Sequence, residues 1–229
     1  MKKWLITALA LTFLIPSLDA RRPKPRAGDV DDNVYTDKTY NFKLTVPEDW
    51  KSTVKLEEEN FRLMLVKKNY GTPAYYASAP ENTYVPRLSV YVGEAPMGPF
   101  EYIDSLLSHS YDTDQKDELM REFEIMNEQL VGSGTERLDI SPRSRRAIEI
   151  NGMLGSLWTA QVNYFRTITL SASAQAARRV PGTWGGAVLA IKNGDKMLLM
   201  HMMCEWNFFE ANLESFMQVI QSLEWEKKK

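Results

Sequence analysis

The stretch YNFKLTVPEDW, residues 40–50, carries the clearest strand pattern in the first half of the chain. Its apolar residues alternate with polar ones, which is the period of a strand with one buried face; they are Phe42, Leu44 and Val46. Pro47 cannot donate a backbone hydrogen bond, so it ends the strand. Trp50 follows closely, and a large ring beside a strand end is expected to pack over the core. The stretch therefore predicts a core-closing corner rather than a functional motif.

The composition around this stretch is that of one globular domain. The chain has 229 residues, of which 44% are hydrophobic and 25% are charged. A chain of this size buries enough apolar surface to fold unaided. Its formal net charge of −2 provides no electrostatic basis for binding nucleic acid. We therefore expect no nucleic-acid partner.

The first twenty residues have the layout of a secretory signal peptide. Two lysines precede an apolar run over residues 4–15, and Ala20 is the expected last residue before cleavage. The run is short for a bilayer span, so no stable transmembrane segment is expected after cleavage; retention as an uncleaved anchor is the alternative. Residues 21–33, rich in proline, glycine and charge, are interpreted as a flexible leader. These patterns predict a secreted or periplasmic protein with a single domain over residues 34–229.

The first half of that domain is predicted to mix strands and helices. Strands are expected over residues 61–68 and 87–92. Pro99 is expected to open a helix, because proline is tolerated in a first turn. Asp114 is interpreted as the cap of a second helix that carries an apolar stripe.

The second half is predicted to consist mainly of antiparallel hairpins. Asn-Gly pairs at residues 151–152 and 193–194 predict two tight turns, and a Ser-Pro pair at residues 141–142 predicts another. Residues 172–179 are interpreted as a short helix. A closing amphipathic helix follows the last strand, with Asn207 as its expected cap. The predicted fold class is α+β, an antiparallel β-sheet flanked by helices.

The sequence contains no recognisable catalytic or metal-binding motif. Cys204 is the only cysteine, and the two histidines are His109 and His201. His201 and Cys204 lie three residues apart on one predicted strand, so they are expected on opposite faces, with Cys204 as a small buried hydrophobe. No nucleophile elbow, phosphate-binding loop or zinc-binding spacing is present. We therefore predict no catalytic residue, no metal site and no cofactor; a hydrolase using carboxylates or His109 is the weakest alternative.

A tyrosine-rich insertion over residues 69–86 is one candidate ligand surface. Aromatic rings on a loop can stack on sugar rings or contact a partner; the rings in question are Tyr75, Tyr76 and Tyr84. The alternative is that the loop packs its own tyrosines on the sheet.

Arginines at two turns form a second candidate surface. The members of this set are Arg143, Arg145, Arg178 and Arg179. If the turns share one edge, their guanidinium groups could bind an anionic partner. Strand alternation, however, places Arg145 and Arg146 on opposite faces.

Three stretches of the chain carry a resemblance to a known family. They are FKLTVPEDW in the opening strand, AIKNGDKMLLM in the second hairpin and NFFEANLESFMQVIQSLEW in the closing helix. The chain resembles the PsbP-like fold family, which includes the extrinsic PsbP subunits of photosystem II, the Mog type of Ran-binding protein and exported bacterial proteins of unknown role. The resemblance implies an α/β/α sandwich and a non-catalytic scaffold or binding subunit. No photosystem-contacting or Ran-contacting residue carries over.

These observations lead to two functional hypotheses from different classes. The first is an exported, non-catalytic binding or scaffold protein of the cell envelope or periplasm, with a protein partner. The alternative is a small-molecule or glycan binder that uses the tyrosine-rich insertion over residues 69–86.

Overall fold

The computed structural model describes residues 23–68, 85–108, 118–123, 135–169 and 177–226. The fold is α+β and consists mostly of antiparallel strands. The strands are β1 (Gly28–Asp31), β2 (Val34–Asp37), β3 (Phe42–Thr45), β4 (Trp50–Val54), β5 (Phe61–Lys67), β6 (Arg87–Glu94), β7 (Thr135–Ile150), β8 (Met153–Thr169), β9 (Ala177–Asn193), β10 (Lys196–Glu205) and β11 (Glu224–Trp225). The helices are α1 (Pro99–Ser108) and α2 (Phe209–Gln221), with a 3-10 turn over Trp206–Phe208 before α2, and residues 118–123 are also helical.

The strands form two antiparallel sheets. The larger has seven strands in the order β4-β5-β6-β10-β9-β8-β7, and the smaller has four in the order β1-β2-β3-β11. Strand β10 lies in the middle of the larger sheet and is apolar on both faces, as the sequence predicts. Leu198 and Met200 pack into one core, whereas Met197 and Leu199 pack into the other.

The first core lies between the larger sheet, the smaller sheet and α2. Phe42 and Leu44 of β3 are buried there together with Phe216 of α2. Strand β11 pairs with β3, and the Nε1–H of Trp225 donates to the backbone oxygen of Tyr40 at 2.9 Å. Strand β11 is thereby bound to residues 40–50, the stretch that contains β3.

The second core lies on the opposite face of the larger sheet. Tyr102 and Ile103 of α1 are buried there with Leu119 and Phe123 of the second helical segment. In the part of the chain that the structure describes, no helix is long and apolar enough to cross a bilayer.

The corner at Trp50 is placed as predicted, with one addition. The ring is 3% exposed and belongs to the first core. Trp50 is also the first residue of β4, a strand that the sequence pattern missed. The Nζ of Lys67, on the neighbouring strand, lies 5.3 Å from the ring centroid and adds a cation–π contact.

The interpretation of residues 21–33 as a flexible leader was wrong for its second half. Gly28–Asp31 is strand β1 and pairs with β2. The link between the two strands is a two-residue turn in which Asp32 and Asn33 have φ of 45° and 61°. Aspartate and asparagine tolerate this left-handed region, which the turns of tight hairpins require. The Asp32-Asn33 pair was therefore a turn signal, but the polar composition of residues 21–33 led to the interpretation as a flexible leader.

The predicted turn at Ser141-Pro142 was wrong as well, because β7 continues through it. The pairing of β7 with β8 shifts register between Pro142 and Ser144, which marks a bulge. Strand β7 is the last strand of the larger sheet. A proline is tolerated there because an edge strand has backbone groups that need no ladder partner.

Three smaller predictions around the second hairpin also need correction. Strand β9 includes residues 177–179, which were interpreted as part of a helix; residues 172–176 lie outside the described residues. The second hairpin turns at Gly194 and Asp195 rather than at Asn193-Gly194, and Gly194 supplies the φ of 64°. Helix α2 begins at Phe209 without a side-chain cap, so Asn207 is not its cap. The Asn-Gly turn at residues 151–152 is as predicted.

A buried ion pair joins the two sheets. Arg62 of β5 and Asp37 of β2 have side chains that are 1% and 0% exposed, and the Arg62 Nε lies 2.9 Å from the Asp37 Oδ2. The hydroxyl of Tyr35 donates to the same oxygen at 2.8 Å. Arg62 also donates to the hydroxyl of Thr39 and to the backbone oxygen of Glu59. The polar atoms of the pair are thus satisfied, as burial requires.

Candidate functional site

An open cleft of about 500 Å³ lies between the β7–β8 hairpin and the start of α2. We call it the arginine cleft. Its cationic groups are Arg143 and Arg146, its hydroxyls are those of Ser144 and Thr159, and its aromatic and apolar walls are Trp206, Leu157, Phe209 and Leu213. Glu210 lies at the rim as the single acidic residue of this lining.

The bulge in β7 explains how the arginines reach the cleft. Ser144 pairs with Thr159 and Arg146 with Leu157, so these residues share the sheet face that is covered by α2. Arg143 occupies the bulge, and its guanidinium turns to the same face. A regular strand would alternate residues 143 and 144 between the two faces.

The guanidinium of Arg143 is held in place by two contacts. Its Cζ lies 5.1 Å from the centroid of the Trp206 ring, a cation–π distance. One of its N–H groups donates to the side-chain oxygen of Gln161 on β8. Trp206 in turn stacks on Phe209, with ring centroids 5.3 Å apart and an interplanar angle of 13°. The contacts fix the plane of the guanidinium at the cleft wall.

Gly185 permits the close seating of Phe209 on the sheet. A Cβ at this position would collide with the Cβ and ring atoms of Phe209. The start of α2 can therefore approach the sheet closely only because β9 has a glycine there. Phe209 lines the cleft, so this approach positions part of the cleft wall.

Arg145 lies on the opposite face of the sheet, as strand alternation predicts. Its guanidinium forms an ion pair of 2.6 Å with Asp104 of α1 and lies over the ring of Phe100. Arg145 therefore ties β7 to α1 and does not share a surface with Arg143. Within the described residues, Arg146 forms no ion pair.

The remaining predicted surface residues lie, wholly or in their side chains, outside what the structure describes. The backbone of Arg178 and Arg179 pairs with Ile168 and Thr167 in the β8–β9 hairpin, and their side chains lie outside what the structure describes. The tyrosines of the insertion, Tyr75, Tyr76 and Tyr84, lie outside the described residues too. The glycan-binding alternative that rests on them stays a prediction.

The buried titratable groups of β10 do not form a reactive pair. His201 and Cys204 lie on opposite faces, as predicted: the His201 ring is 5.1 Å from that of Phe123, whereas Cys204 belongs to the core beneath α2. Burial lowers the pKa of His201 to about 4 and raises the pKa of the Cys204 thiol to about 12. The imidazole and the thiol are therefore both neutral near pH 7. Cys204 is buried, as predicted for a small hydrophobe.

The arrangement of the arginine cleft suits noncovalent binding. Its lining combines guanidinium groups, hydroxyls and an indole with an apolar wall. Hydrogen bonds from arginine to an ionised acceptor are stronger than neutral ones. Trp and Arg are also the side chains that most often anchor protein interfaces. The cleft can hold a ligand that carries negative charge beside an apolar part.

Comparison with solved structures finds chains of similar fold at low identity. The solution structure of cyanobacterial PsbP (CyanoP) from Synechocystis is 12% identical with a TM-score of 0.41, and the alignment covers 84% of this chain and 91% of that one. A protein of unknown function from Pseudomonas aeruginosa is 11% identical with a TM-score of 0.40, covering 81% and 92%. A chain from Bacteroides thetaiotaomicron is 12% identical with a TM-score of 0.37, covering 82% and 46%.

The likeness to CyanoP agrees with the PsbP-like resemblance of the sequence. At this identity, and with TM-scores below 0.5, nothing further is taken from the likeness. No protein-family model and no curated protein sequence matches the chain.

The sequence did not identify several residues of the cleft as site residues. They are Trp206, Ser144, Thr159 and Glu210. A signal for Trp206 was present, because it separates the last strand from the closing helix and is followed by a polar residue. Trp206 is partly buried there, and a tryptophan combines a large apolar ring with a polar N–H group. The hydroxyls had no comparable signal.

Proposed function

We propose that the protein is an exported, non-catalytic binding domain of the cell envelope, built as a helix-flanked α/β/α sandwich of the PsbP type. It holds a protein partner in the arginine cleft. The observation that supports this function is the convergence of Arg143, Arg146 and Trp206 on one open surface. The layout of the first twenty residues supports export.

The cleft supports partner binding because its guanidinium groups are exposed and one of them is ordered in advance. Arg143 is fixed by Trp206 and Gln161, so its guanidinium loses less freedom when a ligand binds. Both cleft arginines are exposed, whereas the neighbouring Arg145 is neutralised by Asp104. The same short stretch of β7 therefore provides one structural arginine and two arginines for a partner.

A double substitution tests the assignment of the partner site. We expect R143A/R146A to reduce partner capture from envelope extracts at least tenfold, since each charged hydrogen bond contributes about 1.5–3 kcal/mol. The measurement is quantitative capture on immobilised mature protein, with each variant compared with the unmodified protein.

The matched control is R145A/K51A, which removes the same charge from exposed positions outside the cleft. Capture by the control should equal that of the unmodified protein, and both variants should remain folded; the unfolding midpoint of each is recorded because R145A also removes the ion pair with Asp104. The partner site would not be the cleft if the unmodified protein, R143A/R146A and R145A/K51A captured equal amounts of partner, or if both variants lost capture equally.

A further inference from the structure

We infer that the arginine cleft recognises a carboxylate: it takes a glutamate or aspartate side chain of a partner segment, together with the apolar residue beside it. The inference rests on the proposed function and specifies the chemistry of the bound group. Three features of the cleft lead to it, namely its net charge, the orientation of Arg143 and the position of the apolar wall.

The net charge of the cleft favours a singly charged ligand. Arg143 and Arg146 contribute two positive charges and Glu210 one negative charge to the lining. A carboxylate neutralises the remaining positive charge. A phosphate monoester carries close to two negative charges near pH 7, so Glu210 would repel it more strongly than it repels a carboxylate.

The orientation of Arg143 suits the planar shape of a carboxylate. A guanidinium presents its donors in a rigid fork that matches two carboxylate oxygens. Trp206 and Gln161 hold this fork in one plane, and the side-chain oxygen of Gln161 accepts from one of its donors. The remaining N–H donors of Arg143 therefore point in fixed directions. A lysine ammonium on its flexible stem would not fix the directions of its donors in this way.

The apolar wall lies in the same cleft as the guanidinium groups. Leu157 and Phe209 line it as buried residues, and Leu213 and Trp206 are its partly exposed apolar members. A volume of about 500 Å³ lies within the usual range of sites for small ligands. It can therefore accept an acidic side chain and an adjacent apolar one, which distinguishes a peptide from a free anion.

The test is a titration of the mature protein with short peptides. The probe is acetylated and amidated Gly-Glu-Leu-Gly, and the matched control is the same peptide with glutamine in place of glutamate. Binding is followed by the indole N–H signal of Trp206 in NMR spectra, assigned with W206F. We expect the glutamate peptide to saturate this signal in the millimolar range, and the glutamine peptide to bind at least tenfold more weakly.

Three further titrations complete the test. R143A/R146A should lose the response to the glutamate peptide, whereas R145A/K51A should keep it. Inorganic phosphate should bind more weakly than the glutamate peptide. Glu210→Gln should reduce this difference in affinity, because it removes the negative charge that repels phosphate more strongly. Equal binding of the two peptides, or tighter binding of phosphate, would overturn the inference. If partner capture still depends on Arg143 and Arg146 in that case, the proposed function stands and only the carboxylate assignment falls.

Discussion

Replacing Arg62 with leucine is expected to lower the free energy of unfolding by about 3–5 kcal/mol, because it leaves the charge of Asp37 buried without its partner. Both side chains are almost fully buried, and their closest atoms are 2.9 Å apart. The substitution also removes donors from the hydroxyl of Thr39 and from the backbone oxygens of Glu57 and Glu59. The loss should appear as a lower urea midpoint in equilibrium unfolding.

A double variant separates the ion pair from simple packing. Arg62→Leu combined with Asp37→Leu removes both charges and should recover a substantial part of the lost stability, because replacing a whole buried pair is often nearly neutral. The single Asp37→Leu substitution should be as harmful as the single Arg62→Leu substitution. Additive losses in the double variant would contradict the coupling of the two charges.

Replacing Trp50 with alanine is the second large change, with an expected cost of about 3–5 kcal/mol. The ring is 3% exposed and packs in the core beneath the smaller sheet and α2. Its removal loses apolar burial and leaves a cavity that the surrounding strands fill only in part. The loss should appear as a lower urea midpoint in equilibrium unfolding. Partner capture, measured per folded molecule, should be unchanged.

Two controls accompany Trp50→Ala. Trp206→Ala makes the same chemical change at a ring that is only partly buried and should cost less stability than Trp50→Ala. Trp50→Phe should cost less than half of the alanine loss, because the Nε1 of Trp50 has no hydrogen-bond partner in the described structure. A Trp50→Ala protein that is as stable as the parent would show that this corner does not close the core.

The parts of the fold that depend on local pattern could be predicted from the sequence. The alternation of Phe42 and Leu44 gave a strand with one buried face, and both residues are buried. The double-sided apolar composition of β10 gave a central strand, and the Asn151-Gly152 pair gave a tight turn. In each case burial or backbone sterics act on neighbouring residues, so the signal is contained in a short window.

Features that depend on competing or distant interactions could not be predicted in the same way. Strand β1 was not predicted because its residues are mostly polar. Pairing with β2 satisfies its backbone hydrogen bonds, so it needs no long apolar run. Pro142 indicated a turn, but its position on an edge strand allowed a bulge instead. Asp37 and Arg62 form their pair across 25 residues, which no short pattern reveals.

The candidate site was only partly visible for the same reason. Arg143 was singled out by the arginine cluster, and alternation correctly separated Arg145 from Arg146. The meeting of Arg143 with Trp206 depends on how α2 lies on the sheet. That packing rests on Gly185, a position that looked unremarkable in the sequence.

Occupation of the arginine cleft by the partner can be measured in producing cells from the positions at which the partner is cross-linked. A photoreactive residue replaces Glu210 at the cleft or, as the matched control, Glu149, an exposed glutamate of β7 outside the cleft lining. We predict one partner adduct from position 210 and none from position 149. An adduct that forms equally at both positions, or only at position 149, would contradict the claim.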